Sequence, residues 1–148
     1  MTLEAVLAAL HLVAMLTAVV FISSQAALCR SEWLNAAVVE RLARLATLSA
    51  GLFVILVLTG LARTFWGIKG GSWYVSQPLF HAKTTLVLLM GLLSVPSTRQ
   101  FWAWRAALQA GGALPAPDAI QRARRWVMRQ AHALPVIAVL AVFWARGW

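Results

Sequence analysis

Two histidines and two cations sit where an apolar chain rarely carries them. His11 lies inside a hydrophobic run from about Leu3 to Leu28. His81 and Lys83 open a second run that starts at Leu79 and continues to about Val95, and Arg63 closes another, Leu45 to Ala62. Imidazole ligates metals and moves protons near neutral pH. Lysine and arginine clamp carboxylates and phosphates. Ionisable groups are costly in hydrocarbon, so each is by default a hypothesis about function.

Depth decides which of them can meet. At the helical rise, His11 lies ~12 Å below the outer end of its run and His81 only ~3–4 Å below the outer end of its own. Both occupy the outer half. His132 starts a fourth run on the opposite side. Helix tilt that takes up an offset of roughly 8 Å would let His11 and His81 hold one metal ion or one haem iron. Imidazole pairs between membrane helices are one way of holding haem b. Arg63 and Lys83 would then pair its propionates.

Each group also has a plain structural reading. A histidine within a span hydrogen-bonds a neighbouring helix, and span-end cations pair lipid headgroups. His11, Ala14, Ala18 and Gln25 fall along one helical stripe, which turns the two polar residues toward other helices. His81 and Lys83 are two residues apart, about 200° around a helix, and cannot face one point. Lysine can snorkel along its stem, so the cheaper arrangement turns His81 inward and Lys83 outward. The reverse would bury an ammonium and demand a partner such as a propionate, a phosphate or a helix C-terminus. With Lys69, Arg63 and Lys83 would form a small positive cluster above the two histidines.

Other chemistries lack their residues. Glu32, Glu40 and Asp118 lie outside the runs, which disfavours paired-carboxylate catalysis and a carboxylate proton relay. No nucleophile–base arrangement is visible, and Gly67-x-x-Gly70-Gly71 is too short for a nucleotide cradle. Cys29 is the single cysteine, so there is neither an intrachain disulfide nor a Cys-x-x-Cys site.

The elements that must position these groups follow from composition. The 148 residues are 61% hydrophobic and 11% charged, with a mean hydropathy of +0.78. Such a chain has no polar surface to offer water, so lipid is its solvent. Spans at 3–28, 45–62, 79–95 and 131–145 meet the ~20-residue length of a bilayer core, the last two at its short end. The expectation is one all-α domain over 1–148, a four-helix transmembrane bundle. Asn35 caps the helix that leads into the second span, and Asp118 occupies an N-cap position before the fourth. Arg122, Arg125 and Arg129 form a basic face there. The glycine-rich connection around residues 67–72 ends a helix, and a short surface helix is expected at about 100–109.

Charge sets orientation. Arg30, Arg41, Arg44, Arg99, Arg105, Arg122, Arg124, Arg125 and Arg129 lie in two connections on one side. The positive-inside rule makes that side cytoplasmic and places both termini outside, in a periplasm if the membrane is a bacterial inner membrane. The Arg-rich connections would meet anionic lipid headgroups. The formal charge of +9 thus reads as membrane orientation, and nucleic acid is not an expected partner. The eight tryptophans, Trp33, Trp66, Trp73, Trp102, Trp104, Trp126, Trp144 and Trp148, lie mostly at span ends, as an aromatic belt does. No cleavable signal is evident, since the first charge is Glu4 and no basic segment precedes the first run. A short third span and a small bundle suit self-association as a homo-oligomer.

Residues Thr59-Gly60-Leu61-Ala62-Arg63-Thr64-Phe65-Trp66-Gly67, then Pro78-Leu79-Phe80, Ala82-Lys83 and Gly91-Leu92-Leu93-Ser94-Val95-Pro96, resemble a family of small bacterial membrane proteins of unknown function. The similarity extends over nearly the whole chain, including His11 and Arg105. More distantly, the layout is similar to HemJ-type protoporphyrinogen oxidases, four-span haem b proteins, and to the membrane domain of copper-resistance D-type proteins. HemJ-type chains carry further histidines where this chain has Cys29 and Ser94–Ser97. What survives of that resemblance implies a haem site on the outer side.

The expectation is therefore a haem b or metal-binding redox protein, with His11 and His81 as ligands. Its alternatives are a small permease-like module for a metal or anionic solute, and a non-catalytic assembly subunit.

Overall fold

A computed structural model describes residues 3–66 and 71–145. Lys69, most of the glycine-rich connection, Arg146 and Trp148 lie outside them. The elements are α1 (Leu3–Leu28), a 3-10 turn (Ser31–Trp33), α2 (Ala36–Phe65), the five-residue α3 (Gly71–Val75), α4 (Pro78–Gln109) and α5 (Pro117–Ala145). The fold is all-α, built on four main helices.

Local signals account for the helix ends. Asn35 Oδ1 accepts a hydrogen bond from the Val38 amide at 3.0 Å, satisfying an orphan donor of the first turn. α4 opens on Pro78, whose fixed φ suits the first helical turn and whose missing N–H is not needed there. The chain turns between α4 and α5 at Gly111, which has φ +79°, a backbone state that glycine reaches without a Cβ penalty. Asp118 is not the cap that its position suggests. α5 starts one residue earlier, at Pro117, and the carboxylate instead takes Arg122 Nη1 at 2.5 Å. That guanidinium holds the Asp118 carboxyl below its usual range.

No separate surface helix lies at 100–109. α4 runs on through Pro96 to Gln109, and α5 likewise passes through Pro135. Three helices, α1, α2 and α4 from Phe80, are long and apolar enough to cross a membrane. α5 is not among these three; it carries its arginines in the first half and its apolar residues in the second, so the stretch expected as a fourth span continues a basic helix. At 1.5 Å per residue a 30-residue helix such as α2 is ~45 Å long, against ~30 Å of hydrocarbon. The Arg-rich ends therefore project beyond the membrane.

α1 packs on α2, α2 on α4, α4 on α5 and α5 on α1, closing a ring in which neighbours are antiparallel. The stripe of α1 faces inward: His11, Ala14, Ala18, Ile22 and Gln25 are its buried residues. The densest core lies at the Arg-rich end, where Cys29, Val39, Leu42, Ala43, Ala46, Phe101, Ala123 and Val127 have no exposed surface. That end meets water, so apolar burial drives packing there. Toward the other end Leu12, Val13, Leu16, Val54, Leu58, Leu88 and Leu92 point outward. Lipid solvates them, and association there rests on close packing and interhelical hydrogen bonds.

Candidate functional site

The half of the bundle away from the Arg-rich end carries a polar contact between α1 and α2. His11 is 9% exposed, and its Nδ1 lies 2.8 Å from Thr59 Oγ1. The direction of that bond follows from its neighbours. Thr59 has one hydroxyl proton and donates it to the Ile55 carbonyl at 2.8 Å, so its oxygen accepts and His11 Nδ1 carries the hydrogen. In the neutral ring the other nitrogen, Nε2, then holds a lone pair. Among the described residues nothing hydrogen-bonds Nε2. Gly60 lies beneath the ring: a Cβ there would sit 3.5 Å from His11 Cε1. That is an ordinary van der Waals distance, so the ring packs directly on this part of α2.

Two cations lie near this contact. Lys83, from α4, and Arg63, from the last turn of α2, are the charges that act on the His11 ring, and they also act on each other. Arg63 and Lys83 are both half-buried. The arrangement at the mouth of α4 is thus the reverse of the expected one. Lys83 turns inward and His81 outward: His81 is exposed, and its Nε2 lies 2.7 Å from the Val75 carbonyl at the end of α3. The cause is that short helix. α3 presents a free C-terminal carbonyl to the imidazole, while Lys83 takes the inner face beside the end of α2.

Of the four sequence-derived site residues, the structure gathers His11, Arg63 and Lys83 and sets His81 on the other side of α4. A haem iron held by two imidazoles needs both rings to offer nitrogens to one point. His11 fits that role, because a ligating histidine has its second nitrogen fixed by an outer partner, here Thr59. His81 as placed is exposed and turned to the Val75 carbonyl, on the other side of α4 from His11. Among the described residues no three His, Cys, Asp or Glu side chains converge. Thr59 and Gly60 were not singled out as site residues from sequence. Their signal was a threonine one turn before Arg63, next to a glycine, directly after the aliphatic stretch Val54–Leu58.

A second polar layer lies toward the Arg-rich ends of the helices. Gln25 Nε2 donates to Ser49 Oγ at 2.8 Å, and Gln130 Nε2 lies within hydrogen-bonding reach of the Leu93 carbonyl and Ser97 Oγ at 3.3 and 3.4 Å. Below it, Cys29 is fully buried with its thiol toward the Ile120 carbonyl at 3.7 Å. Burial pushes the thiol pKa up to about 11, with Arg124 opposing.

The third feature is a shallow basic groove on α5, lined by Gln121, Arg124, Arg125, Met128, Arg129 and His132. Arg129 stacks on Trp126 at 4.5 Å. The groove straddles the point where the basic half of α5 gives way to the apolar half.

Residues 3–148 match the model of a family described as Predicted membrane protein (DUF2214), and the chain belongs to that family. No curated protein matches, and no solved structure does.

Proposed function

We propose that this member of the family binds an anionic group at the outer end of its bundle through Arg63, Lys83 and His11, as a small permease-like module for an anionic solute. The observation that carries the reading is the nearness of two half-buried cations, Arg63 and Lys83, to an imidazole whose orientation Thr59 fixes. Two ammonium- or guanidinium-type donors suit a carboxylate or phosphate. A bound anion would also favour a proton on Nε2, which turns that nitrogen from acceptor to donor. Anion binding is then linked to proton uptake.

The test is calorimetric titration of the purified full chain with inorganic phosphate and with succinate. Binding that strengthens as pH falls, and loses that dependence in His11→Gln, supports the reading. No binding to either probe at any pH sinks it.

The lone pair on Nε2 favours a second reading, a haem b redox protein of the inner membrane. His11 would be an iron ligand, Arg63 and Lys83 would hold the propionates, and His81 would have to leave the Val75 carbonyl to become the second ligand. The group would supply one-electron chemistry. An absorption spectrum after expression with added haem precursor separates the two: a Soret band lost in His11→Ala selects haem.

The α5 groove supports a further contact, with phosphate groups of anionic lipid. Its three arginines lie at headgroup depth if the apolar half of α5 is membrane-embedded.

A further inference from the structure

Between the four helices, inward of the outer cluster, lies a cavity with about 40 Å³ of space that water can occupy, lined by residues of α1, α2, α4 and α5. Its polar lining comes from Gln25, Ser49, Ser94, Thr98 and Gln130. The two carboxamides are almost fully buried, Gln25 at 4% and Gln130 at 3% exposed. Both amide nitrogens are spent on protein partners. Among the described residues neither Oε1 accepts a hydrogen bond, Thr98 makes no side-chain hydrogen bond, and Ser49 accepts one without donating. Neither oxygen is sealed off by protein atoms, so each keeps surface toward the cavity, and at this depth lipid cannot supply a donor.

We infer that this cavity is a hydrated chamber, holding a small cluster of ordered waters that join Gln25, Gln130, Ser49 and Thr98. The volume suffices: one water needs roughly 10–15 Å³ by this measure, so about three fit. The chemistry suffices as well, since the open groups include two acceptors and two hydroxyls, and a buried water commonly makes about three hydrogen bonds. The lining has no charged side chain, so water is matched better than an ion.

The chamber also has an outer wall. Phe53 and Leu56 line it on the side toward Thr59, and Phe53 crosses from α2 to fill the notch left by Gly91 on α4. A single apolar layer thus separates the inner polar space from His11, Arg63 and Lys83.

The test is water-to-protein NMR magnetisation transfer on the full chain in lipid nanodiscs, with glutamine side-chain amides and Leu, Val and Met methyls labelled. Cross-peaks from long-lived water to the Gln25 and Gln130 amides and to the Met90 methyl are expected. The double variant Gln25→Leu/Gln130→Leu should lose the water cross-peak to the Met90 methyl while keeping the wild-type helical spectrum. A dry chamber, meaning no water cross-peak at either glutamine in a folded wild-type spectrum, overturns the inference. The outer-site titrations do not bear on this result, so either proposal can fail alone.

Discussion

His11 Nδ1 donates to Thr59 Oγ1 across 2.8 Å, and the same threonine passes its own proton to Ile55 of α2. One side chain of α1 is thereby tied to a backbone carbonyl of α2 through a hydroxyl. The chain of donors fixes the ring's tautomer and aims its free nitrogen.

Thr59→Val keeps the shape and removes the acceptor. Interhelical hydrogen bonds in membranes contribute about 0.6 kcal/mol on average and rarely more than about 1.7, so a loss near 1 kcal/mol is expected in a reversible unfolding titration. The more telling readout is the pH dependence of phosphate binding. With Thr59 gone the ring can rotate, and affinity should fall several-fold near neutral pH with the helical content unchanged.

Arg63→Gln and Lys83→Met each remove one cation. Hydrogen bonds to charged groups contribute about 1.5–3 kcal/mol, and 1.4 kcal/mol is a tenfold change. Each variant should weaken anion binding by about tenfold or more, and the salt dependence of the remainder should shrink. His81→Ala should leave phosphate affinity within about twofold, because His81 faces away from the cluster. A large loss from His81→Ala would point back to the two-imidazole reading.

Gly91 permits a contact that no other residue allows. A Cβ added there would overlap the Phe53 ring. Gly91→Ala should cost about 1–3 kcal/mol, the usual range for overpacking. Pairing it with Phe53→Leu should recover part of that cost. Non-additivity between the two, measured by a double-mutant cycle, checks the contact; simple addition would argue against it.

Cys29 should be inert. Its thiol has no exposed surface, and its pKa is raised to about 11 by burial. The reactive thiolate is scarce in the folded state until pH approaches that value. Maleimide labelling of the folded protein at pH 7 should be slower than for the denatured chain by orders of magnitude. Because the unfolded thiol ionises at lower pH, stability from this group is complete below the unfolded pKa and is lost as pH rises through about 11.

Arg125→Gln/Arg129→Gln should reduce copurification of phosphatidylglycerol without changing that of a zwitterionic lipid, measured by mass spectrometry of bound lipid. An unchanged lipid ratio would remove the α5 groove as a headgroup site.

The bundle was legible in sequence because lipid imposes a coarse rule. A helix that must cross hydrocarbon needs a long apolar run, and the runs from Leu3, Leu45 and Leu79 announce themselves. The inward stripe of α1 was legible for a similar reason: Ala14 and Ala18 are small, and His11 and Gln25 are polar, at helical spacing. The continuity of α4 was hidden. Pro96 and the polar residues after it look like the end of a span, and only packing of Phe101 against the inner core carries the helix onward to Gln109. The chamber was hidden too, since Ser94, Thr98 and Gln130 look like ordinary span-end residues until three helices bring them beside Gln25.

Residue type and spacing alone determined that this is a helical membrane protein, with its arginines gathered at one end of the helices and an ionisable cluster at the other. Hydrophobic length and charge are local properties, written one residue at a time. Which of His81 and Lys83 turns inward was decided only by tertiary structure. Two side chains about 200° apart on one helix are equivalent until neighbours distinguish them, and here the Val75 carbonyl took the imidazole while the lysine came to lie near His11 of α1 and Arg63 of α2.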